Sequence, residues 1–335
     1  MCRTSLYLLT LTGRHGKAVK GGGTVTQSEM SRETLGAGRP PVPGRRWSRS
    51  DTKGWIFVGP FLAVFALTFL SPIAYAAYLS LFRAQAFFGT TEFVGLDNYV
   101  DVFTDDKFWD GSLRVLLFLV VQVPIMLGLA LVAALAIDSA RLYGTSFFRL
   151  FIFLPYAVPG VVAVLMWGFM YGTNFGLAAD FNELFGTSIA PLSSNWMLAS
   201  IANIVTWEFV GYNMLIFYSA LRTVPGEIYE AAALDGAGAL RTVLSIKIPA
   251  LRGAILIATI FSIIGTFQLF NEPNILRTLE PNIITTYYTP NLYAYNLSFG
   301  GQQYNYSATV AIVMGLLTAV IAYAVQLRGS REAMK

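Results

Sequence analysis

Six long apolar segments constrain this sequence more than any other feature. They cover residues 55–82, 113–137, 150–171, 197–221, 253–270 and 307–327. Each is close to the ~20 residues that an α-helix needs to cross the ~30 Å hydrocarbon core of a bilayer. Because backbone polar groups in lipid must be hydrogen-bonded internally, continuous apolar runs of this length predict helices and not strands. The sequence therefore predicts an all-α integral membrane protein with six transmembrane helices.

The composition agrees with a membrane protein and narrows the available chemistry. Hydrophobic residues make up 55% of the 335 residues and charged residues only 13%, against about 25% charged residues in a typical soluble domain. The single cysteine, Cys2, cannot form an intramolecular disulfide, and His15 is the only histidine. Since no run of His, Cys, Asp and Glu has the spacing of metal ligands, we expect no metal site.

Basic residues are distributed unevenly between the loops. The segments on the side of the N-terminus carry most of the Lys and Arg residues, and the loop after the fourth apolar segment alone carries Arg222, Arg241, Lys247 and Arg252. The loop after the first apolar segment is instead rich in aspartate. Because cytoplasmic loops are enriched in Lys and Arg, we expect both termini to be cytoplasmic.

Three regions are expected along the chain. Residues 1–53 are basic and rich in Gly, Arg, Ser and Pro, which predicts a disordered cytoplasmic tail. Residues 54–329 hold the apolar segments and form the transmembrane domain, and residues 330–335 form a short cytoplasmic tail. Met30 is an alternative start to Met1, and the intact mass of the purified protein would distinguish the two.

The loop at residues 222–252 combines charge with helical propensity. Residues 227–234 are strong helix formers with acids near the helix start, where the helix dipole favours them. Gly236 and Gly238 are predicted to interrupt the helix, and a second helix is expected over residues 239–248. On the residues alone the loop is either an amphipathic segment on the membrane surface or a docking element for a cytoplasmic partner.

The stretch EAAALDGAGALRTVLSIKIP, within that loop, resembles the EAA loop of binding-protein-dependent ABC importer permeases. The family pattern is E-A-A, a glycine six residues after the glutamate, and an ending similar to I-x-L-P. The matching residues are Glu230, Ala231, Ala232, Gly236, Ile246 and Pro249, and Asp235 with the two residues after it matches the D-G-A common in the sugar-importing branch. Two positions depart from the pattern of the sugar-importing branch: Val243 replaces a frequent Phe, and Ile248 replaces the usual Leu.

Further stretches resemble carbohydrate permeases in the same order along the chain. They are FVGLDNYVDVF from Phe93, LPYAVPGVVAVLMW from Leu154, TFQLFNEP from Thr266 and YAYNLSFGGQQYNYSATVA from Tyr293. The resemblance implies an ABC type I importer permease fold in a bacterial-type plasma (inner) membrane. It also implies that the loop is a coupling helix seated in a cleft of an ATP-hydrolysing subunit.

The resemblance assigns roles and partners. Glu230 would make the polar contact to the ATPase subunit, Ala231 and Ala232 would allow close approach, and Gly236 would make the turn. The implied partners are two copies of a cytoplasmic ATP-binding subunit, a second permease subunit that is usually a different chain, and an extracytoplasmic sugar-binding protein. No nucleic acid is expected as a partner.

The energy source is expected to lie outside this chain. The sequence has no G-x-x-x-x-G-K-[ST] phosphate-binding loop, so we expect no enzymatic activity here, and ATP and Mg²⁺ are expected in the partner ATPase. A proton-coupled secondary transporter that uses Glu208 is the main alternative, because such proteins carry acids within their spans. A structural membrane protein without cargo is the third reading.

The fourth and fifth apolar segments contain the residues expected along a sugar path. Sugars present hydroxyls and apolar C–H faces, so a path for them needs aromatic rings and amides or carboxylates. The candidates are Trp207, Glu208, Tyr212, Asn213, Thr266, Gln268 and Asn271. Glu272 lies at the outer end of the fifth segment, on one predicted helix face with Gln268 and Asn271, and Pro273 is predicted to end that helix. Compared with maltose-type permeases, Trp207 and Tyr212 fall at sugar-contacting positions, whereas Glu208 does not match a typical residue.

Each of these candidates also has a purely structural reading. A tryptophan near a span end is often an interfacial anchor, tyrosines often fill gaps between helices, and polar side chains can join helices. Pro155, Pro159 and Gly160 predict a bend in the third segment, for gating or for packing. Since no segment core holds a Lys or Arg, the path is expected to suit oligosaccharides or glycosides better than a phosphorylated polyol.

Overall fold

The computed structural model describes residues 49–84, 90–139 and 143–333. Most of the predicted N-terminal tail, with Cys2, His15 and Met30, lies outside these residues. The described part is mainly helical, and its α-helices are α1 Arg49–Phe65, α2 Ser71–Ser80, α3 Asp97–Thr104, α4 Asp106–Ile137, α5 Thr145–Phe153, α6 Gly160–Met170, α7 Leu177–Phe185, α8 Met197–Leu221, α9 Gly226–Leu234, α10 Ala239–Thr242, α11 Ile248–Ala250, α12 Arg252–Phe267, α13 Asn271–Leu279, α14 Pro290–Tyr295 and α15 Tyr304–Ala333.

Shorter helical turns connect some of these helices. A 3-10 turn covers Leu154–Ala157, and π-helical turns cover Ala66–Leu70, Val243–Lys247 and Asn296–Gly300. Helix α1 begins at Arg49, so the end of the tail that was predicted to be disordered is helical. Within the described residues, those up to Leu62 belong to one unit, and those from Ala63 onward belong to a second.

Four helical stretches within the described residues are long and apolar enough to cross a membrane. They are Gly54–Ser80, Asp106–Ile137, Met197–Leu221 and Tyr304–Gly329. Two bent pairs, Thr145–Ala157 with Gly160–Met170 and Ala239–Ala250 with Arg252–Phe267, also qualify if each pair is one span. The chain thus has four to six candidate spans in the regions where the six apolar segments lie.

A two-stranded antiparallel hairpin is an exception to the all-α expectation. Strands β1 Phe82–Ala84 and β2 Thr91–Phe93 pair with Phe82 opposite Phe93, and their rings pack edge to face at 5.4 Å. Such aromatic pairs across strands stabilise a short hairpin. The hydropathy pattern predicted that the first helical stretch extends to Phe82. The stretch ends at Ser80 instead, because Phe82 belongs to the hairpin.

The bend predicted in the third apolar segment is present. The helical axis turns by 95° between Thr145–Ala157 and Gly160–Met170. Val158, which precedes Pro159, is extended with ψ of 129°, because the proline ring disfavours a helical conformation in the residue before it. The bend is therefore a local consequence of the sequence.

The fifth apolar segment ends earlier than predicted. Helix α12 stops at Phe267, and a separate helix α13 begins at Asn271. We expected Pro273 to end a helix, and this prediction is wrong. Pro273 lies in the first turn of α13, where a missing N–H group carries no penalty. Gln268 and Asn271 therefore belong to a junction between two helices and not to one helical face.

Buried apolar residues form three clusters between the helices from Ala63 onward. Helix α4 packs along α8, and α12 packs against α15. One cluster joins the end of α4 to α8 and the start of α12 through buried residues that include Ile137, Leu221 and Leu251. This cluster lies directly beside the loop at residues 222–252.

Candidate functional site

A cavity of about 310 Å³ lies between α4, α8, α12 and α13. Five of the side chains proposed from the sequence for a sugar path line it, namely Tyr212, Asn213, Thr266, Gln268 and Asn271. The apolar part of the lining includes Phe118, Phe209 and Phe261. Aromatic rings and polar amides therefore meet in one space between the helices.

The lining residues of α8 follow the helical period. Val205, Phe209, Tyr212 and Asn213 line the cavity, at positions i, i+4, i+7 and i+8, which form one face of an α-helix. The ring of Tyr212 stacks on Tyr156 with 4.9 Å between centroids and an interplanar angle of 19°. This stacking fixes the orientation of Tyr212 beside the cavity.

Trp207 lies on the opposite side of α8 and is not among the residues that line the cavity. Its ring packs edge to face against Trp167, with 5.8 Å between centroids. The half-buried Trp167 in turn packs against Tyr171 at 5.3 Å. The contacts of Trp207 are therefore those of a residue that fills the space between helices α6 and α8.

Glu208 is buried at the edge of the cavity-facing side of α8 but is not part of the cavity lining. A Cβ atom on Gly160 would lie 3.3 Å from its Oε1, so the carboxylate faces the first residue of α6. A helix N-terminus favours negative charge. Its Oε2 is buried without a hydrogen-bond partner among the described residues.

Gln122 and Glu272 also line the cavity. Gln122 was not among the residues proposed for the sugar path from the sequence. The amide of Gln122 donates a 3.2 Å hydrogen bond from Nε2 to Oγ1 of Thr206, while its buried Oε1 has no partner among the described residues. A polar residue inside the apolar run of α4 was the signal that could have identified it. Glu272 was named from the sequence as an acid at the outer end of the fifth apolar segment.

Asn213 is largely satisfied within its own helix. Its Nδ2 donates a 3.0 Å hydrogen bond to the carbonyl oxygen of Phe209. It also lies 3.8 Å from the sulfur of Met126 on α4. Asn213 is therefore held on the cavity face of α8 by contacts within α8 and with α4.

The loop at residues 222–252 has the two helical parts expected from the sequence. Helix α9 ends before Gly236, whose φ of 75° is left-handed, and the N–H of Ala237 donates to the carbonyl oxygen of Ala232 at 2.9 Å. This pattern ends a helix and favours glycine at the left-handed position. Two short helices therefore meet at a tight turn.

The proposed coupling residues are accessible on the surface of this chain. Glu230, Ala231, Asp235 and Gly236 are exposed, whereas Ala232 and Pro249 are half-buried. Large apolar side chains accompany them: Leu234 is 91% exposed and Leu240 is 72% exposed. Such an exposed apolar face is what both expectations for the loop require, a segment on the membrane surface and a docking element.

Within the described residues, no group of three or more His, Cys, Asp or Glu side chains could hold a metal ion. The side chains that line the cavity offer hydrogen-bonding groups and aromatic rings.

Several known proteins are similar in sequence along most of the chain, although no protein-family model matches it. The lactose transport system permease protein LacF of Rhizobium radiobacter is 33% identical over 290 residues, which cover 84% of this chain and 95% of that protein. The diacetylchitobiose uptake system permease protein NgcF of Streptomyces coelicolor is 31% identical over 317 residues, covering 89% of this chain and 88% of that protein. The multiple sugar-binding transport system permease protein MsmF of Streptococcus mutans is 29% identical over 274 residues, covering 80% and 92%.

The fold also matches solved structures. A chain from the crystal structure of a bacterial alginate ABC transporter, in complex with a periplasmic protein bound to an alginate pentasaccharide, superposes with a TM-score of 0.71. This match covers 85% of the present chain and 96% of that chain at 14% identity. A second structure of a bacterial ABC transporter that imports alginate gives a TM-score of 0.68 at 17% identity, covering 84% and 96%.

Proposed function

The chain belongs to the permease subunits of binding-protein-dependent sugar ABC transporters, and on this premise we propose that it forms half of the translocation path of an ATP-driven importer for oligosaccharides or glycosides. The observation that carries the proposal is the cavity between α4, α8, α12 and α13. Its rings suit the C–H faces of sugars, and its amides and hydroxyls suit sugar hydroxyl groups.

The charge of the cavity supports the proposed cargo. Glu272 is the only carboxylate side chain among the residues that line it, and no Lys or Arg is among them. A phosphorylated polyol would need a cation to balance its charge. An uncharged sugar needs none, which favours oligosaccharides and glycosides over phosphorylated compounds.

The proposed membrane arrangement has six spans in residues 54–329, with both bent helix pairs counted as spans. Both termini, including the tail at residues 1–53 and the last residues 330–335, are proposed to be cytoplasmic. The excess of Lys and Arg on that side supports this orientation. In it the loop at residues 222–252 faces the cytoplasm, and the hairpin of β1 and β2 faces the outside.

The loop at residues 222–252 is proposed to couple the permease to its ATPase. Its support is the combination of an exposed EAA motif with the exposed side chains of Leu234 and Leu240. A short amphipathic helix with such a face fits a groove on another protein. Glu230 would add a polar contact, and the turn at Gly236 would set the angle between the two helical parts.

The proposed assembly contains four further proteins. Two copies of a cytoplasmic ATP-binding subunit would hold ATP and Mg²⁺, and their closure would move the permease helices as rigid bodies. A second permease subunit would complete the pore, and an extracytoplasmic sugar-binding protein would deliver the cargo. This chain would itself catalyse no covalent step.

The experiment that tests the function is co-purification of the chain with its ATP-binding subunit, together with sugar uptake by the same cells. We expect Glu230→Ala and Gly236→Val to lose most of both the association and the uptake, because one removes the polar contact and the other forces a branched side chain into a left-handed position. The matched control is Glu227→Ala, which removes a charge from the same helix and leaves the motif intact.

The outcome also separates the importer from the alternative. Uptake that persists without the ATP-binding subunit, and that stops when the proton gradient is collapsed, would show the importer proposal to be wrong. Glu208 would then be the residue to examine. The family to which the chain belongs does not favour that alternative.

A further inference from the structure

An ion pair joins the coupling loop to the end of α4. Nζ of Lys247 lies 2.5 Å from Oδ2 of Asp138, and the two side chains are only 14% and 8% exposed. Asp138 is the residue that caps the C-terminal end of α4, and Lys247 ends the π-helical turn after α10. The pair thus connects two elements that are 109 positions apart in sequence.

Tyr229 extends this contact to α9. The ammonium group of Lys247 lies 5.4 Å from the centroid of the Tyr229 ring, which is within the range of a cation–π contact. The hydroxyl of Tyr229 is buried without a hydrogen-bond partner among the described residues. Burial, and then the negative charge of Asp138, raise the pKa of Tyr229. The ring of Tyr229, and not its hydroxyl, therefore makes the contact.

The surroundings make the contact stiff. Ile137 precedes Asp138 in sequence, and Leu251 follows Lys247 by one helical turn. Both are buried in the same apolar cluster. Breaking one side of a buried ion pair leaves the other charge without compensation, so the two side chains resist separation. By contrast, α9 is connected along the chain through turns at Thr223–Pro225 and at Gly236, which can absorb a displacement.

We propose that Asp138, Lys247 and Tyr229, called here the Lys247 link, transmit the displacement of α9 to the ends of α4 and α12. Lys247 is the positioning residue of this link, because it contacts both the helix that carries Glu230 and the cap of α4. The inference rests on the proposed function, since it requires that α9 docks on an ATPase. It adds the path by which docking reaches the transmembrane helices.

The link makes a specific demand on transport. Docking of the ATPase can shift the transmembrane helices only if the contacts between α9 and these helices differ in free energy between the two states of the permease. An intact link lets α9 and α4 move as one body, whereas a broken link lets α9 follow the ATPase alone. The ATPase would then bind and hydrolyse ATP at an ordinary rate while less sugar crosses the membrane per ATP.

The test uses the full permease–ATPase complex in proteoliposomes with the binding protein, and lactose and diacetylchitobiose as probe sugars. Lys247→Met is expected to keep ATPase association and hydrolysis, while sugar uptake per ATP falls about tenfold, within the usual range of coupling between sites. Lys247→Arg keeps the charge and can still stack on the Tyr229 ring, so it should retain most of the uptake. Arg252→Met is the matched control, because it removes an exposed positive charge from the same region.

A double variant guards against misfolding. If Lys247→Met fails to fold with Asp138 left unpaired, Asp138→Asn combined with Lys247→Met removes both charges and should restore folding, as judged by a single gel-filtration peak. This double variant should still show the lowered uptake per ATP. The ratio of uptake to hydrolysis is the decisive readout, because a loss of folded protein lowers both quantities together.

Two results would overturn the link. Unchanged uptake per ATP in the folded variants would show that it transmits nothing, and loss of ATPase association in Lys247→Met would place Lys247 on the docking surface. If the wild-type permease binds no ATPase subunit, the proposed function is wrong, and the proposed role of the Lys247 link is then wrong as well. These outcomes are distinct because association is measured separately from transport.

Discussion

Glu272 lines a cavity in which no lining side chain carries a positive charge. Glu208 is a second buried glutamate of the same unit. Neither forms an ion pair with a Lys or Arg within the part of the chain that the structure describes. At the scale of the residue, the cavity therefore disfavours anionic cargo.

Glu272→Gln removes this negative charge with little change in size. We expect the affinity for an acidic sugar, relative to its neutral counterpart, to rise roughly tenfold, because a like charge at short range in a partly buried site costs about 1–3 kcal/mol. Binding of lactose and of lactobionate to the purified complex, without a binding protein, would measure the ratio. Asp106→Asn, on the exposed first turn of α4, is the control. An unchanged ratio in Glu272→Gln would contradict the assignment.

Helix α8 owes its position to one glycine. A Cβ atom on Gly211 would lie 2.0 Å from the carbonyl oxygen of Ile152 in α5, a separation that no real side chain tolerates. Small residues allow helix backbones in membranes to approach closely. At the scale of the element, this contact holds the helix that presents Tyr212 and Asn213 to the cavity.

Gly211→Ala should destabilise the protein by about 1–3 kcal/mol, because the added methyl group meets backbone that must shift. Gly128→Ala is the matched control, since a Cβ atom there has nothing within 4 Å and alanine has the higher helix propensity. The thermal midpoint of the detergent-solubilised protein would compare the two. A midpoint for Gly211→Ala equal to that of Gly128→Ala would disprove the close contact.

At the scale of the whole molecule, the orientation in the membrane follows from the charges of the loops. The proposed topology puts α3 outside and α9 inside, on opposite faces of the membrane. Both helices carry exposed acidic residues, Asp97 in α3 and Glu227 in α9. These positions offer accessible sites for a test of the topology.

Single cysteines at these two positions would test the arrangement in a Cys2→Ser background, which has no other cysteine. We expect Asp97→Cys to react with an impermeant maleimide in intact cells. Glu227→Cys should react only after permeabilisation, because α9 faces the cytoplasm in the proposed topology. Labelling of both positions from the same side would exclude an arrangement with an odd number of spans between them.

Part of the candidate site could be predicted from residue type alone. Tyr212 and Gln268 were identified because rings and amides suit the faces and hydroxyls of sugars, and both line the cavity. Trp207 satisfied the same criterion, but its position on α8 directs it towards Trp167. Gln122 was missed because it comes from α4, a segment whose proximity to α8 is not encoded locally.

The sequence by itself determined the local features of this protein. Apolar runs form helices because lipid offers the backbone no other partners, Pro159 bends the third segment, and Gly236 ends α9 through its left-handed backbone. The tertiary structure decided which distant side chains meet: the lining of one cavity by four helices, and the pairing of Lys247 with Asp138. These contacts depend on how the helices pack, and packing depends on the shapes of all the surfaces together.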